Sequence, residues 1–458
     1  MPRTVVFYGN CQAQALCEMY RRHFAPLRQD IVKLVLIGSD DTKALSEADV
    51  VVEQMFDSQP RVDYSIVPPD VTIYRFPLVI GTFIWPFASQ DHVHNRSYPF
   101  LPSGPYPAEL GDSYLNRLID QVPVNEAFAR YIDLDVAKHA HLDRLYEIHL
   151  AQQEQRDTAC GISVTRLMEE RFRSEPLFHT RGHPTKRIFD HIAKHVFGAM
   201  GIPDEEIHIA INGYHYSVFP WDELPIHPNV AAHYGLQYVT GSSAYRHMDE
   251  GRFTFEQNVR RYLNYEWNRD LHEGIYLAEG SGDPAVACVC LEKGIEVSPA
   301  SDRGWRALGS SLLRLNRPAE ARDSALRAMT IDPQNPENHY LLASALTATG
   351  DLGRAEETLR TAIRIHPFGA KCHLSLADVL SRTGRQHEAA EIAAAAVPLT
   401  AKNPHTYGLL GFILHRAGDL EGAEAAFRES LSRAPEVVSF REALNSVLSH
   451  KQRIAAGC

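Results

Sequence analysis

The sequence predicts two modules: an α/β N-terminal domain, built as a small parallel sheet wrapped by many helices, and an all-α solenoid of stacked helical repeats behind it. Two observations predict this. Short β-branched apolar runs alternate with helical periodicity near the N-terminus, and a spacing of 34 residues recurs across 302–437. A length of 458 residues has room for two or more domains of ~100–200 residues each. The formal charge of −11, from 57 acidic and 46 basic side chains, argues against nucleic acid or an anionic membrane as the main partner, yet leaves room for a local basic pocket. The N-terminus lacks a charged segment followed by an apolar core, and no apolar stretch approaches the ~20 residues that span a bilayer, so a cytoplasmic location without a transmembrane segment is expected. Seven scattered cysteines (Cys11, Cys17, Cys160, Cys288, Cys290, Cys372, Cys458) read as free thiols rather than a disulfide framework.

Taken in order, TVVFY (4–8), IVKLVLI (31–37), ADVVVEQ (48–54) and VTIYRFP (71–77) are runs of strand length. Between the first two lies QAQALCEMYRRHF, with apolar residues at 13, 16, 17, 20 and 24, a helical face. Buried strands alternating with helices predict a parallel, doubly wound sheet. Residues 85–115 are rich in Pro, Gly, Ser and aromatics and read as a long loop, ordered by Trp85, Phe87, Tyr98, Phe100, Tyr106 and Tyr114. Helical patterns resume over ~125–156, 161–174 and 184–200. The first domain is expected to span 1–250, with 251–267 as a connecting segment.

In the C-terminal part, Trp305, His339, His373 and Tyr407 share one position of the repeat. Leu308, Leu342, Leu376 and Leu410 share another, and Gly309, Ala343, Ala377 and Gly411 the next. Ala321, Ala355, Ala389 and Ala423 follow, and Pro333, Pro367, Ala401 and Pro435 close the unit. This register resembles the tetratricopeptide repeat. A weaker copy begins near 268, with Ala287, Leu291 and Pro299, which makes five repeats over 268–437 and a capping helix and tail over 438–458. The small residues let paired helices approach closely, and stacked units leave a concave groove suited to a protein partner.

The tetrapeptide GNCQ (9–12) sits where the first strand gives way to a helix. In an open parallel sheet, ligands bind beyond the carboxyl ends of the strands, so Cys11 has an active-site address. Gly9 permits a tight turn, and with Asn10 and Gln12 it frames peptide N–H groups at 11 to 13 that are unpaired helix-start donors. Such donors lower a thiol's pKa and can hold the oxyanion of an acyl-transfer intermediate. Cys17 falls within the helix and reads as core.

The stretches VVFYGNCQAQAL, VVVEQ with Gln54, GPYP and GDSYL (104–115), LFHTRGHPT (177–185) and PIHPNVAAHYGL (225–236) together resemble the WcbI family of polysaccharide-biosynthesis enzymes over roughly 1–250. The resemblance implies a coenzyme A-binding acyltransferase acting on a sugar or glycan acceptor, with Gln54 among the cofactor-binding residues. A nucleophilic cysteine needs a base. His183 is the candidate, on a loop just before Pro184 at a helix start, with His179, His92 and His94 as alternates. Arg181, Lys186 and Arg187 beside it suit the phosphates of coenzyme A. Whether Cys11 takes the acyl group covalently or positions a direct transfer is open.

Three other constellations are weaker. His191 and His195 stand four apart on a helix but lack the glutamate of H-E-x-x-H and a third ligand, so no metal is expected. GDSY with DHVH resembles the serine and histidine blocks of SGNH hydrolases, which would make Ser113 an esterase nucleophile, but the serine follows no strand and the blocks come in reverse order. Cys288 and Cys290 point to different faces of a repeat helix. The alternative outside enzymology is a repeat-bearing adaptor whose N-terminal domain only binds a ligand.

Overall fold

The structure is a computed structural model and describes residues 3–39, 42–88, 90–213, 222–367, 369–397, 399 and 404–455. Ala401 of the repeat register and Cys458 lie outside the described residues. The chain divides into two compact units, residues 1–304 and 305–458.

The first unit is organised by four strands, β1 (Thr4–Gly9), β2 (Ile31–Leu36), β3 (Val50–Met55) and β4 (Thr72–Pro77), in the order β2-β1-β3-β4. All neighbours are parallel, with Phe7 opposite Leu34 and Val52, and Val52 opposite Tyr74. The central runs β1 and β3 are buried on both faces, while the edge strands β2 and β4 are only partly covered. Side chains alternate along each strand. Val5, Phe7, Val52 and Phe76 therefore join one core, with Leu16, Met19 and Tyr20 of α1 (Cys11–His23). Val6, Val35 and Val51 join the other, with Ala44 and Leu45 of α3 (Thr42–Ser46); α2 (Ala25–Arg28) is a single turn. Because the chain leaves β1 for β2 on one side and returns to β3 on the other, the carboxyl ends of β1 and β3 form the switch point where open sheets place their ligands.

The helical pattern read over ~125–156 is divided into α5 (Val124–Ile132), α6 (Val136–Ala140) and α7 (Leu142–Cys160), after α4 (Ser113–Leu118). The breaks have local causes: Asp135 caps α6 by accepting from the Lys138 amide, and His141 stands at a left-handed φ of 51°. Then follow α8 (Val164–Arg171), α9 (Lys186–Ala199), α10 (Asp204–Gly213), α11 (Pro228–Tyr234) and the hairpin β5 (Ala244–His247) and β6 (Gly251–Thr254). The 251–267 segment, expected as a connector, holds β6 and α12 (Phe255–Leu263). A Thr254–Gln257 capping box starts α12, and Tyr262 is buried in the sheet core with its hydroxyl donating to Asn116 and accepting from the Asp112 amide. The long loop at 85–115 is pinned to this helix: His92 Nε2 lies 2.9 Å from the Tyr262 carbonyl and Tyr106 donates to the Glu266 carbonyl.

The first repeat, α13 (Arg269–Glu279) and α14 (Pro284–Val297), belongs to the same unit. The remaining helices are α15 (Asp302–Arg314), α16 (Pro318–Ile331), α17 (Pro336–Thr349), α18 (Leu352–Ile365), α19 (Ala370–Arg382), α20 (Gln386–Ala396), α21 (Pro404–Ala417), α22 (Leu420–Arg433) and the capping α23 (Val438–Ala455). The repeat register packs as the sequence implies, since Ala321, Ala355, Ala389 and Ala423 are all fully buried. A side chain on Gly309 would stand 2.7 Å from Leu341 Cδ2. No helix among the described residues is long and apolar enough to cross a membrane.

Candidate active site

Cys11 is the first residue of α1, immediately beyond β1 and next to the end of β3. The turn that places it is built from side-chain amides. Asn10 caps the helix, its Oδ1 accepting from the Gln12 amide at 2.9 Å, while its own backbone N–H donates to Gln54 Oε1 at 2.9 Å. Gly9 has to be glycine because an added Cβ would meet Gln54 Oε1 at 2.6 Å and Ala13 Cβ at 2.7 Å. Gln12 is fully buried. Its Nε2 donates to the carbonyls of Val79 (2.6 Å) and Gly182 (3.0 Å), and its Oε1 accepts from Val79 N–H (3.1 Å) and Gln54 Nε2 (3.1 Å). Gln12 and Gln54 are thus framework amides that tie α1, β3, the end of β4 and the 180–183 loop together. Their side-chain amides are engaged with one another and with the backbone.

The Gln12 bond to Gly182 brings the His183 loop to the start of α1, and Gly81 N–H donates to the Arg181 carbonyl at 2.7 Å to hold it there. Glu109, from the long aromatic loop, closes the group. Its carboxylate accepts from the Thr180 hydroxyl, from Gly182 N–H (3.2 Å) and from Arg181 Nε (3.4 Å), and lies 3.6 Å from His183 Nδ1. Thr180 Oγ1 is 2.9 Å from His183 Nδ1. A hydroxyl has one proton, and here it points to Glu109. Nδ1 is therefore the protonated nitrogen, and Nε2 is left with the lone pair of a general base. Burial lowers the His183 pKa, with Glu109 pulling the other way, so the imidazole is neutral near pH 7.

The thiol differs from its expectation. Burial, and then the Glu109 charge, raise the Cys11 pKa, and the N–H groups of Gln12 and Cys11 that act on the sulfur only partly offset this. Cys11 is a thiol at rest whose proton has to be removed. Cys17 is core, as expected, with its pKa raised to about 12 by burial.

Of the alternates, His92, His94 and Ser113 are placed elsewhere. Both ring nitrogens of His92 are engaged, by the Tyr262 carbonyl and the His94 amide. His94 pairs with Asp120 at 3.0 Å on the surface. His179 stays near the group, its amide bonded to the His183 carbonyl, with burial lowering its pKa. Ser113 opens α4 with its amide on the Phe87 carbonyl, and His92, the histidine of the DHVH block, has no nitrogen to offer it. His191 Nε2 and His195 Nδ1 lie against the backbone carbonyls of Ser163 and His191. The three cations all have acidic neighbours: Arg181 has Glu109 and the Ala88 carbonyl, Lys186 both oxygens of Asp190 at 2.7 Å, and Arg187 has Glu175 at 3.5 Å. Sequence reasoning missed Glu109 and Thr180. The available signal was a carboxylate inside the motif-bearing 104–115 stretch and a hydroxyl three residues before His183.

Residues 4–205 match the family model of the polysaccharide biosynthesis enzyme WcbI. Tetratricopeptide repeat models match 275–336, 312–379 and 404–437. No curated protein matches the chain by sequence. Among solved structures, a WcbI described as a native protein without a disulfide bond between coenzyme A and one of its cysteines is 14% identical, with 68% of this chain and 99% of that one covered at a TM-score of 0.43. A thermophilic repeat protein of Thermus thermophilus is 22% identical, covering 39% of this chain and 97% of that one at a TM-score of 0.36. MamA of Desulfovibrio magneticus is 21% identical, with 33% and 85% covered at 0.31. Residues 4–205 are thus similar to the WcbI polysaccharide-biosynthesis family, and the residues that match tetratricopeptide repeat models follow them over 275–437.

Proposed function

We propose that the N-terminal unit transfers an acyl group from a coenzyme A thioester to a sugar hydroxyl through Cys11. The observation that carries this reading is the serial chain Glu109, Thr180, His183, which orients a neutral imidazole on the loop that Gln12 ties to the start of α1, where Cys11 lies at the switch point of a parallel sheet. The family match and the GNCQ motif support coenzyme A as the donor.

In the first half-reaction His183 Nε2 takes the Cys11 proton, Sγ attacks the thioester carbonyl, and the bond from that carbon to the coenzyme A sulfur breaks. The proton then returns from His183 to the departing thiolate. The N–H groups at the start of α1 serve the oxyanion. In the second half-reaction His183 removes the proton of the acceptor hydroxyl, the new C–O ester bond forms, and the bond to Cys11 breaks with the proton passing to Sγ. Arg181, Lys186 and Arg187 contribute to phosphate binding by exchanging their present carboxylate partners for phosphate. The repeats recruit a protein partner through their groove. Intact-protein mass spectrometry after incubation with acyl-CoA tests the reading: an added acyl mass in the wild type, absent in Cys11→Ser, is expected. No adduct and no acyl transfer from any thioester would overturn it.

A further inference from the structure

A cavity of about 70 Å³ lies in the first unit, walled by Trp85, Phe87, Leu115, Leu224, Val259 and Tyr262 among others. It adjoins the candidate site at three points. Leu110 follows Glu109, the Ala88 carbonyl accepts from Arg181, and Leu224 N–H donates to the His179 carbonyl at 2.8 Å. The polar groups on its wall are engaged with the protein. Trp85 Nε1 donates to the Leu224 carbonyl, and Asp112 accepts from the amides of Tyr114 and Leu115 and from the Tyr131 hydroxyl. Both nitrogens of His227 are bonded, to the Tyr131 carbonyl and the Asn229 amide. The exception is His247, whose buried Nε2 has no hydrogen-bond partner and whose pKa burial lowers to about 4, so it is neutral. No lysine or arginine is among the described residues that line the cavity.

We infer that this cavity is the acyl pocket, and that the donor carries a short uncharged acyl group of about four carbons. The inference rests on the acyl-transfer reading above. An apolar cavity of ~150 Å³ takes benzene. A space of about 70 Å³ takes a tail of roughly three carbons beyond the thioester carbonyl. The aromatic wall favours apolar surface over hydroxyl-rich groups, and without a facing cation a terminal carboxylate would be buried unpaired. Succinyl and butyryl groups have equal carbon counts, so charge alone separates them.

The test is kcat/KM for acetyl-, butyryl-, hexanoyl- and succinyl-CoA. Butyryl is expected to exceed acetyl by about fifteen-fold, from two methylenes at the roughly four-fold each that apolar burial provides, and to exceed succinyl by more. Val259→Phe, which fills the cavity, should lower butyryl at least ten-fold while leaving acetyl within three-fold, and Leu115→Ala should raise hexanoyl. Acetyl equal to or better than butyryl in the wild type overturns the inference. So does a Val259→Phe protein that is more thermostable with its chain-length preference unchanged, since the cavity is then a packing gap. S-butyryl-N-acetylcysteamine, a thioester without a nucleotide, keeps the result independent of coenzyme A binding. It should quench tryptophan fluorescence saturably in the wild type and not in Val259→Phe, and absence of quenching overturns the pocket even where acyl transfer from acetyl-CoA stands.

Discussion

Thr180 Oγ1 stands 2.9 Å from His183 Nδ1 while its own proton points to Glu109, so the carboxylate orients the imidazole through a hydroxyl. Thr180→Val removes the acceptor for Nδ1–H and frees the ring to turn or change tautomer. A reduction of kcat by about 10²-fold is expected, within the range that a positioned acid–base group contributes, with KM for the donor nearly unchanged. Thr180→Ser keeps the hydroxyl and should recover most of the rate. Steady-state kinetics on the two variants checks this; a loss in Thr180→Ser with Thr180→Val near the wild type would mean that the methyl group, through packing, matters instead.

The acid limb of the pH profile follows from His183. Burial lowers its pKa from the ordinary value of 6.5, so the base stays unprotonated down to pH values below 6.5 and activity is lost only as the imidazole finally charges. Glu109 acts in the opposite direction by favouring the imidazolium. Glu109→Gln should therefore shift the acid limb of kcat/KM further down while reducing its plateau. A limb that moves up would place the titrating group elsewhere.

Cys11 should be a slow thiol at neutral pH. Its pKa is raised from 9.0 by burial and by Glu109, so the rate of alkylation by iodoacetamide is expected to keep rising past pH 9. Removing the carboxylate in Glu109→Gln should bring the inflection down. Cys17, fully buried and raised to about 12, should label more slowly still. Mass-spectrometric quantification of each site over a pH series gives both inflections; one for Cys11 below 8 would mean that the helix-start donors outweigh burial.

What the sequence disclosed and what it concealed divide along chain distance. The four strands and the repeat helices are local patterns, and β-branched runs or a recurring small residue specify them within a few residues. The position of Cys11 at a helix start beyond β1 was legible because strand, glycine and helix start are consecutive. Glu109 was not, since it reaches Thr180 across 71 positions and its neighbours in sequence show only a turn. The framework role of Gln54 and Gln12 was hidden for a related reason: a motif glutamine reads equally as a ligand group and as a buried amide, and the bond between these two spans 42 residues. The packing of the 251–267 segment was hidden because α12 buries one narrow face, with Val259, Tyr262 and Leu263, among polar residues.

The framework amides make a stability prediction. Gln12→Leu keeps the volume but leaves Val79 N–H, the Val79 and Gly182 carbonyls and Gln54 Nε2 without their partner in a buried setting. At roughly 1–3 kcal/mol for each unsatisfied group, with some relaxation, a loss of about 3–5 kcal/mol is expected. Gln54→Leu should cost about 1–3 kcal/mol, since Gln12 Oε1 retains Val79 N–H. Urea unfolding midpoints at unchanged m-value measure both; a neutral Gln12→Leu would show that water replaces the lost bonds.

The place where the chain can be cut is the last expectation. Glu250 is buried, 2% exposed, and its carboxylate is met by Arg261, by the Asn268 amide at 2.8 Å and by His272 Nε2 at 3.2 Å. Two of these three partners lie beyond residue 267. Asn268 also donates to the Gly294 carbonyl and the Ser298 hydroxyl, and Arg303 reaches Asp249 at 2.8 Å, so the first repeat shares its polar core with the β5–β6 hairpin. Truncation after 267 strips a buried carboxylate of most of its partners, a change that costs about 3–5 kcal/mol for a broken buried pair, and an unstable or aggregating fragment is expected. Truncation after 304 keeps all three partners and should give a soluble fragment that melts cooperatively. It should form the Cys11 adduct at the rate of the full chain, because the residues of the candidate site all precede the cut. Calorimetric melting and adduct kinetics on the two fragments decide the matter: a stable 1–267 fragment would show that α13 and α14 contribute nothing to the first unit's core.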